Sequence, residues 1–145
     1  MGNRRKAREL VTQILFHMEY VPGNPEKSFE LICENFNAPK SLRDFSKELV
    51  QGVYENKNRI DKLIKRASRN WRLERMSRVD RSILRLGVYE MLYMENIPHK
   101  VSIDEAVELG KKYGTEESGA FINGVLDNIY MAYIQDEKKK GKEGL

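Results

Sequence analysis

The chain reads as an all-α protein, a single-domain bundle of about seven helices, and three observations lead there. Apolar residues recur at helical spacing in seven separate stretches, no segment alternates with the period of two of a half-buried strand, and Pro, Gly or Asn marks most of the breaks. With 145 residues and 40% hydrophobic content, one sizeable core can be buried. The helical domain is expected to span residues 1–134, and 135–145 to form a charged flexible tail.

The first helix is expected from Asn3 to about Glu19, with Ala7, Leu10, Val11, Ile14 and Met18 on its buried side. Arg4 and Arg8 stand one turn apart, and Arg5 and Thr12 lie on the adjoining flank. Four cations in the first turns oppose the helix dipole, which favours anions at an N-terminus, so an RNA phosphate there would relieve the conflict. The alternative is a frayed basic end. Tyr20 to Pro25, with two prolines and a glycine, ends this helix.

A short second helix, about Glu26 to Asn35, offers Phe29, Leu31, Ile32 and Phe36 to the core, and Cys33 on that side is expected to pack rather than react. After Asn37–Pro39, Ser41 is a natural cap for a third helix in which Phe45, Leu49 and Val53 recur every four residues. A fourth, Arg59 to about Ala67, turns Ile60, Leu63 and Ile64 inward and Lys62, Lys65, Arg66 and Arg69 outward. Trp71 then stands among Arg69, Arg72 and Arg75, as a stacking platform for unpaired bases or as a plug in the core.

Ser77 to Met94 is the longest near-continuous apolar run. Ser77 with Asp80 three residues on is an N-terminal capping signal, and Val79, Ile83, Leu84, Leu86, Val88, Met91, Leu92 and Met94 occupy most of the circumference. Such a helix belongs in the middle of a bundle. Its polar residues Arg78, Arg81, Ser82 and Arg85 fall in one arc continued by Tyr89, either a solvated stripe or an edge that tracks phosphates. After Glu95–His99, Ser102-Ile-Asp-Glu105 has the form of a capping box, opening a helix with Val101, Ile103, Ala106, Val107 and Leu109 inward and ended by Gly114. Thr115 to Ser118 starts the last helix, with Phe121, Ile122, Val125, Leu126, Ile129 and Tyr130.

The net charge of +4 conceals a segregation. Residues 1–9 carry four basic side chains against one acidic, and residues 57–85 carry eleven against three, whereas 10–56 and 86–134 are net acidic. Two basic segments are the footprint of a polyanion binder, and they are expected to converge on one RNA track, with the acidic remainder facing another partner. No stretch is apolar and long enough to cross a membrane, and the basic N-terminus lacks the apolar core of a secretory signal, so a cytoplasmic protein is expected. Cys33 is the lone cysteine and His17 and His99 the two histidines, so no disulfide, metal site, cofactor or catalytic triad is expected.

Three stretches taken together resemble the NusB family of bacterial transcription antitermination factors. They are Arg4-Arg-Lys-Ala-Arg8-Glu, then Trp71 with Val79-Asp-Arg-Ser-Ile-Leu-Arg-Leu-Gly-Val-Tyr-Glu90, then Ile97-Pro with Ser102-Ile-Asp-Glu-Ala-Val-Glu-Leu109 and Phe121-Ile-Asn-Gly-Val-Leu-Asp127. The likeness covers residues 3–134, and its most specific part is the combination of the last element with the central one. It implies a non-catalytic, all-helical protein that binds the single-stranded boxA element of nascent ribosomal RNA transcripts together with NusE, a small-subunit ribosomal protein. With NusA, NusG and RNA polymerase, that complex would suppress premature termination.

Residue by residue, the resemblance implies RNA contacts at Arg4, Arg5, Lys6, Arg8, Arg85 and Phe121, and NusE contacts at the acidic Asp80 and Glu117. Lys6 stands where the family often has another arginine. From the residues themselves, Arg72 and Arg81 join the backbone contacts, while Gln13 and Asn123 are candidates for reading bases, because backbone cations carry no sequence information. For Asn123-Gly124 a packing role stands beside the RNA role, with the glycine admitting a close helix and the asparagine satisfying a backbone group.

Three alternatives remain at this point. The chain could be an RNA-binding scaffold in ribosomal RNA maturation without sequence choice. NusB-like domains also begin some RNA cytosine methyltransferases, but no Gly-rich cofactor loop or catalytic cysteine motif is present, which favours a stand-alone factor. A DNA binder would need a helix-turn-helix, and none is recognisable. Oligomeric state is open, with a homodimer that covers the RNA surface as one arrangement.

Overall fold

A computed structural model describes residues 2–21, 23–68 and 73–135. Among these residues there are seven α-helices and no strand: α1 (Gly2–Tyr20), α2 (Pro25–Asn35), α3 (Lys40–Glu55), α4 (Lys57–Ala67), α5 (Arg78–Tyr93), α6 (His99–Tyr113) and α7 (Ser118–Ile129). A 3-10 turn, Leu73–Arg75, leads into α5, and a π-helical turn, Tyr130–Ile134, prolongs α7. Arg69, Trp71 and Arg72 lie outside the described residues, as does the expected tail from 136 onward.

α5 is the central helix, as its apolar circumference predicts. Ser77 caps it, its hydroxyl accepting from the Asp80 N–H at 3.1 Å, and every residue from Ser82 to Met91 is buried. Ile83, Leu84 and Val88 are fully enclosed, and burying one such side chain is worth about 1.5–3 kcal/mol. α1, α3, α4, α6 and α7 all pack on it around one continuous core. α1 runs antiparallel to α5, since Arg8 meets Glu90 while Glu19 meets Arg81 and Arg85. α6 runs in the direction of α1, with Arg5 paired to Glu105 and Glu9 to Lys112. α7 returns along α6, so that His99 stacks on Tyr130 at 3.6 Å. Gly52 lets α3 reach α5, because a Cβ there would overlap the Tyr89 ring.

Several local expectations are corrected. Ser41 and Ser102 are not caps: α3 and α6 begin one and three residues earlier, after Pro39 and Pro98, neither helix having a side-chain cap. Ser102 instead sits inside α6, its Oγ donating to Glu90 at 3.1 Å. Leu31, Phe36 and Val101 are exposed at 45%, 58% and 42%, so they do not belong to the core. Phe36 leaves it because α2 ends there, with Asn37 in the left-handed region at φ 47° and the Ala38 N–H reaching back to the Cys33 carbonyl. Gly114 ends α6 as expected, and Cys33 is fully buried, where desolvation pushes its thiol up and leaves it a packing residue.

Candidate nucleic-acid interface

The first turn of α1 presents Arg4, Arg5 and Lys6 to solvent. Arg4 lies 5.7 Å from the Phe45 ring centre of α3. Arg5 donates from Nε and Nη2 to the two Glu105 oxygens at 3.1 and 3.0 Å, but its side chain stays 63% exposed, so that pair is weak and screened by salt. No acidic residue occupies this first turn, leaving the positive end of the helix dipole beside three cations. The combination is suited to phosphate.

Arg8 does not belong to that surface. It is 5% exposed, and its Nε and Nη2 donate to Glu90 Oε2 and Oε1 at 2.9 and 2.7 Å. Burial would lower its affinity for the proton, but the hydrogen bond and charge of Glu90 outweigh it and hold the guanidinium above its usual range. The reading of Arg8 as an RNA contact is therefore corrected to a structural ion pair.

Arg78 at the start of the polar arc of α5 is exposed, but Arg81, Ser82 and Arg85 are neither solvated nor aimed at phosphate. Glu19, from the far end of α1, accepts from Arg81 Nε and Nη2 at 2.6 and 2.7 Å and from Arg85 Nη1 at 2.7 Å. Arg85 Nε and Nη2 close a second fork on Asp61 of α4 at 2.8 and 3.0 Å, and Arg81 Nη1 donates to the Leu73 and Met76 carbonyls. Burial raises the Glu19 carboxyl, yet Arg81 and then Arg85 override it and hold it below the ordinary carboxylate range. Arg81 and Arg85, expected on RNA, have their donors on carboxylates and carbonyls of this chain. Arg81 and Arg85 meet α1 at Glu19, fifteen residues or about 22 Å of helix from Arg4, so these two do not join the first turn, whereas Arg59 of the same basic segment reaches Tyr93 at the other end of α5.

Between the starts of α5 and α7 the structure gathers Arg75, Met76, Ser77, Asp80, Thr115, Glu117, Ser118 and Phe121 around a cavity of about 210 Å³. Asp80 and Glu117, implied NusE contacts, thus share one cleft with Phe121, implied on RNA. Asp80 Oδ1 is buried there with no hydrogen-bond partner among the described residues, a cost that an incoming donor would remove. On α7, Asn123 and Gly124 are exposed and a Cβ on Gly124 would meet nothing within 4 Å, so the close-packing role for this pair is corrected to a place on the open face. Gln13 is half-buried on α1 between the two ends.

Sequence reasoning missed Phe16 and Tyr20. Their rings meet edge to face at 5.1 Å, Tyr20 is 57% exposed, and the Arg78 guanidinium lies 4.0 Å from its centre. The signal was an aromatic pair at i, i+4, hidden because Tyr20 reads as the start of a turn. Among the described residues no group of His, Cys, Asp or Glu could hold a metal ion, and no helix is long and apolar enough to cross a membrane.

Comparison with known proteins bears on these surfaces. The NusB family profile matches residues 5–131. The chain belongs to the NusB family. The transcription antitermination protein NusB of Desulfatibacillum aliphaticivorans is 46% identical over 142 residues, covering 98% of this chain and 99% of that protein. Among solved structures, NusB of T. maritima superposes with a TM-score of 0.85 at 40% identity, over 94% of this chain and 96% of its own. A NusB solved in a complex of the antitermination factors NusB and NusE with double-stranded RNA superposes at 0.84 and 31% identity, over 92% and 99%. The NusB architecture, all-helical and expected from the sequence, is thereby established for this chain.

Proposed function

We propose that this chain is a non-catalytic assembly factor in transcription antitermination. Arg4, Arg5 and Lys6 hold the backbone of a boxA RNA in nascent ribosomal transcripts, and the cleft of Asp80, Glu117 and Phe121 receives the ribosomal protein NusE. The pair then joins NusA, NusG and RNA polymerase in the cytoplasm and suppresses premature termination. One observation carries the reading: the exposed cationic first turn of α1 and a partly acidic cleft between the starts of α5 and α7, with an unpartnered buried carboxylate oxygen, share no residue, leaving room for two partners at once. The family supports it, since a relative is held with NusE and RNA in one crystal.

Phosphate contacts give affinity without sequence, so base choice falls to amides and stacking, for which Gln13, Asn123 and the exposed Tyr20 are placed on open or half-open surface. The test is a titration with a boxA RNA, its scramble and a duplex of equal length, with and without NusE. Preference for boxA that NusE strengthens is the expected result. Equal binding to boxA and scramble, indifferent to NusE, would favour an RNA scaffold in ribosomal RNA maturation.

A further inference from the structure

Arg8 and Glu90 form a buried ion pair that neither proposed binding surface uses. The contacts join three helices: Arg8 of α1 grips Glu90 of α5 through two N–H···O bonds, and Ser102 of α6 donates to the same Oε1. Arg8 is 5% exposed, Glu90 2% and Ser102 1%. A charge that deep is costly without its partner, so each side chain confines the other to one position. Two parallel bonds also set the plane of the guanidinium, which fixes the rotation of α1 as well as its depth.

Arg8 lies one turn beyond Arg4 and two residues beyond Lys6. Before it, α1 is anchored by the buried Ala7 and by two exposed contacts, Arg5 on Glu105 and Arg4 beside Phe45. A helix end with so few buried contacts frays, and each phosphate contact made from a frayed end must first restore its order.

We propose that Arg8, Glu90 and Ser102 are positioning residues, a clamp that sets the angle at which Arg4, Arg5 and Lys6 meet RNA phosphates without itself touching RNA. This rests on the reading of the first turn of α1 as an RNA site. The clamp explains why an arginine inside a basic cluster is turned away from solvent, and it assigns to Glu90, far along the sequence and on no surface, a part in RNA affinity.

The experiment compares the parent protein with four variants: the double Arg4→Ala, Arg5→Ala; the single Glu90→Gln; the single Ser102→Ala; and the triple Arg8→Met, Glu90→Met, Ser102→Ala. The triple replaces the polar clamp by apolar side chains that can pack across the same crossing. RNA affinity is measured with a boxA RNA at several salt concentrations in the presence of NusE, NusE affinity is measured without RNA, and circular dichroism fixes a temperature at which each variant is folded.

Glu90→Gln is expected to bind RNA about tenfold more weakly, with a log–log salt slope flatter by about 0.7, the loss of one single-strand phosphate contact. Its NusE affinity should stay within about twofold of the parent, which a general loss of structure would not allow. Ser102→Ala, the milder change, should shift RNA affinity the same way by about twofold. The triple variant should recover the parental slope although Arg8 is gone. Parental RNA binding by both Glu90→Gln and Ser102→Ala, or tighter binding by Glu90→Gln because the released guanidinium finds a phosphate, overturns the clamp. A triple variant as weak as Glu90→Gln overturns it too, returning Arg8 to the contact surface. Should Arg4→Ala, Arg5→Ala bind RNA like the parent, the RNA site itself is misplaced and the clamp falls with it.

Discussion

At the start of α1, Arg4 and Arg5 are exposed and lean on Phe45 and Glu105, whereas on α5 Arg81 and Arg85 are enclosed and forked onto Glu19 and Asp61. In sequence both are arginine clusters within basic segments. Their difference is set by carboxylates that arrive from elsewhere in the chain: Glu19 stands 62 residues from Arg81, and Asp61 stands 24 from Arg85. A guanidinium can serve a phosphate or a buried carboxylate with the same two donors. Basic charge counted along a sequence therefore overstates the surface open to nucleic acid.

The hardest way to break the contrast is to remove the carboxylate at its buried side. Glu19→Ala leaves Arg78, Arg81 and Arg85 without their shared acceptor and is expected to cost about 3–5 kcal/mol in urea unfolding, the usual penalty for stripping one partner from a buried pair. A loss under about 1 kcal/mol, the range of a surface pair, would mean that the cluster is solvated after all.

Acid should reach the same cluster. Glu19 is depressed in the folded protein relative to its ordinary value of 4.5, so the unfolded chain takes up the proton first. The stability it supplies is complete above that value and is lost as pH falls through the lower folded one. Denaturant midpoints from pH 7 to 3 should show the gap between parent and Glu19→Gln narrowing below the ordinary glutamate range. A gap that stays constant would put the depression elsewhere.

At the exposed side the expected effects on stability are small. Arg4→Ala with Arg5→Ala should leave the melting midpoint near that of the parent, since both side chains are largely in solvent, and a shift of many degrees would show that the first turn is held by them. Smaller still is the change on the open face of α7. Gly124→Ala adds a Cβ that meets nothing and should stabilise the helix by up to about 1 kcal/mol, while any loss of NusE or RNA binding would mark that face as a close-contact surface.

The features legible in the sequence were those decided by neighbours along the chain. The Ser77 cap, the stop at Gly114 and the burial of α5 all follow from spacing within a few residues. Ser41 and Ser102 misled because Pro39 and Pro98, read as breaks, each immediately precede a helix, where the fixed backbone of proline is compatible with helix initiation. Ser102 then became available for Glu90. At the site, the exposure of Arg4, Arg5 and Lys6 was legible from helical spacing, because the apolar positions of α1 start at Ala7 and continue through Leu10, Val11 and Ile14. The enclosure of Arg8, Arg81 and Arg85 was not, because Glu90, Glu19 and Asp61 are brought to them only by helix packing.

The most direct test of the account is the salt dependence of boxA RNA binding, with NusE present, for Arg4→Ala, Arg5→Ala, Lys6→Ala together and for Arg85→Lys. The triple change should flatten the log–log slope by about two, at roughly 0.7 per phosphate contact, while Arg85→Lys, folded but without its fork on Asp61, should keep the parental slope. A parental slope in the triple variant, or a flattened one in folded Arg85→Lys, would contradict the division between an exposed RNA-binding turn and an enclosed structural cluster.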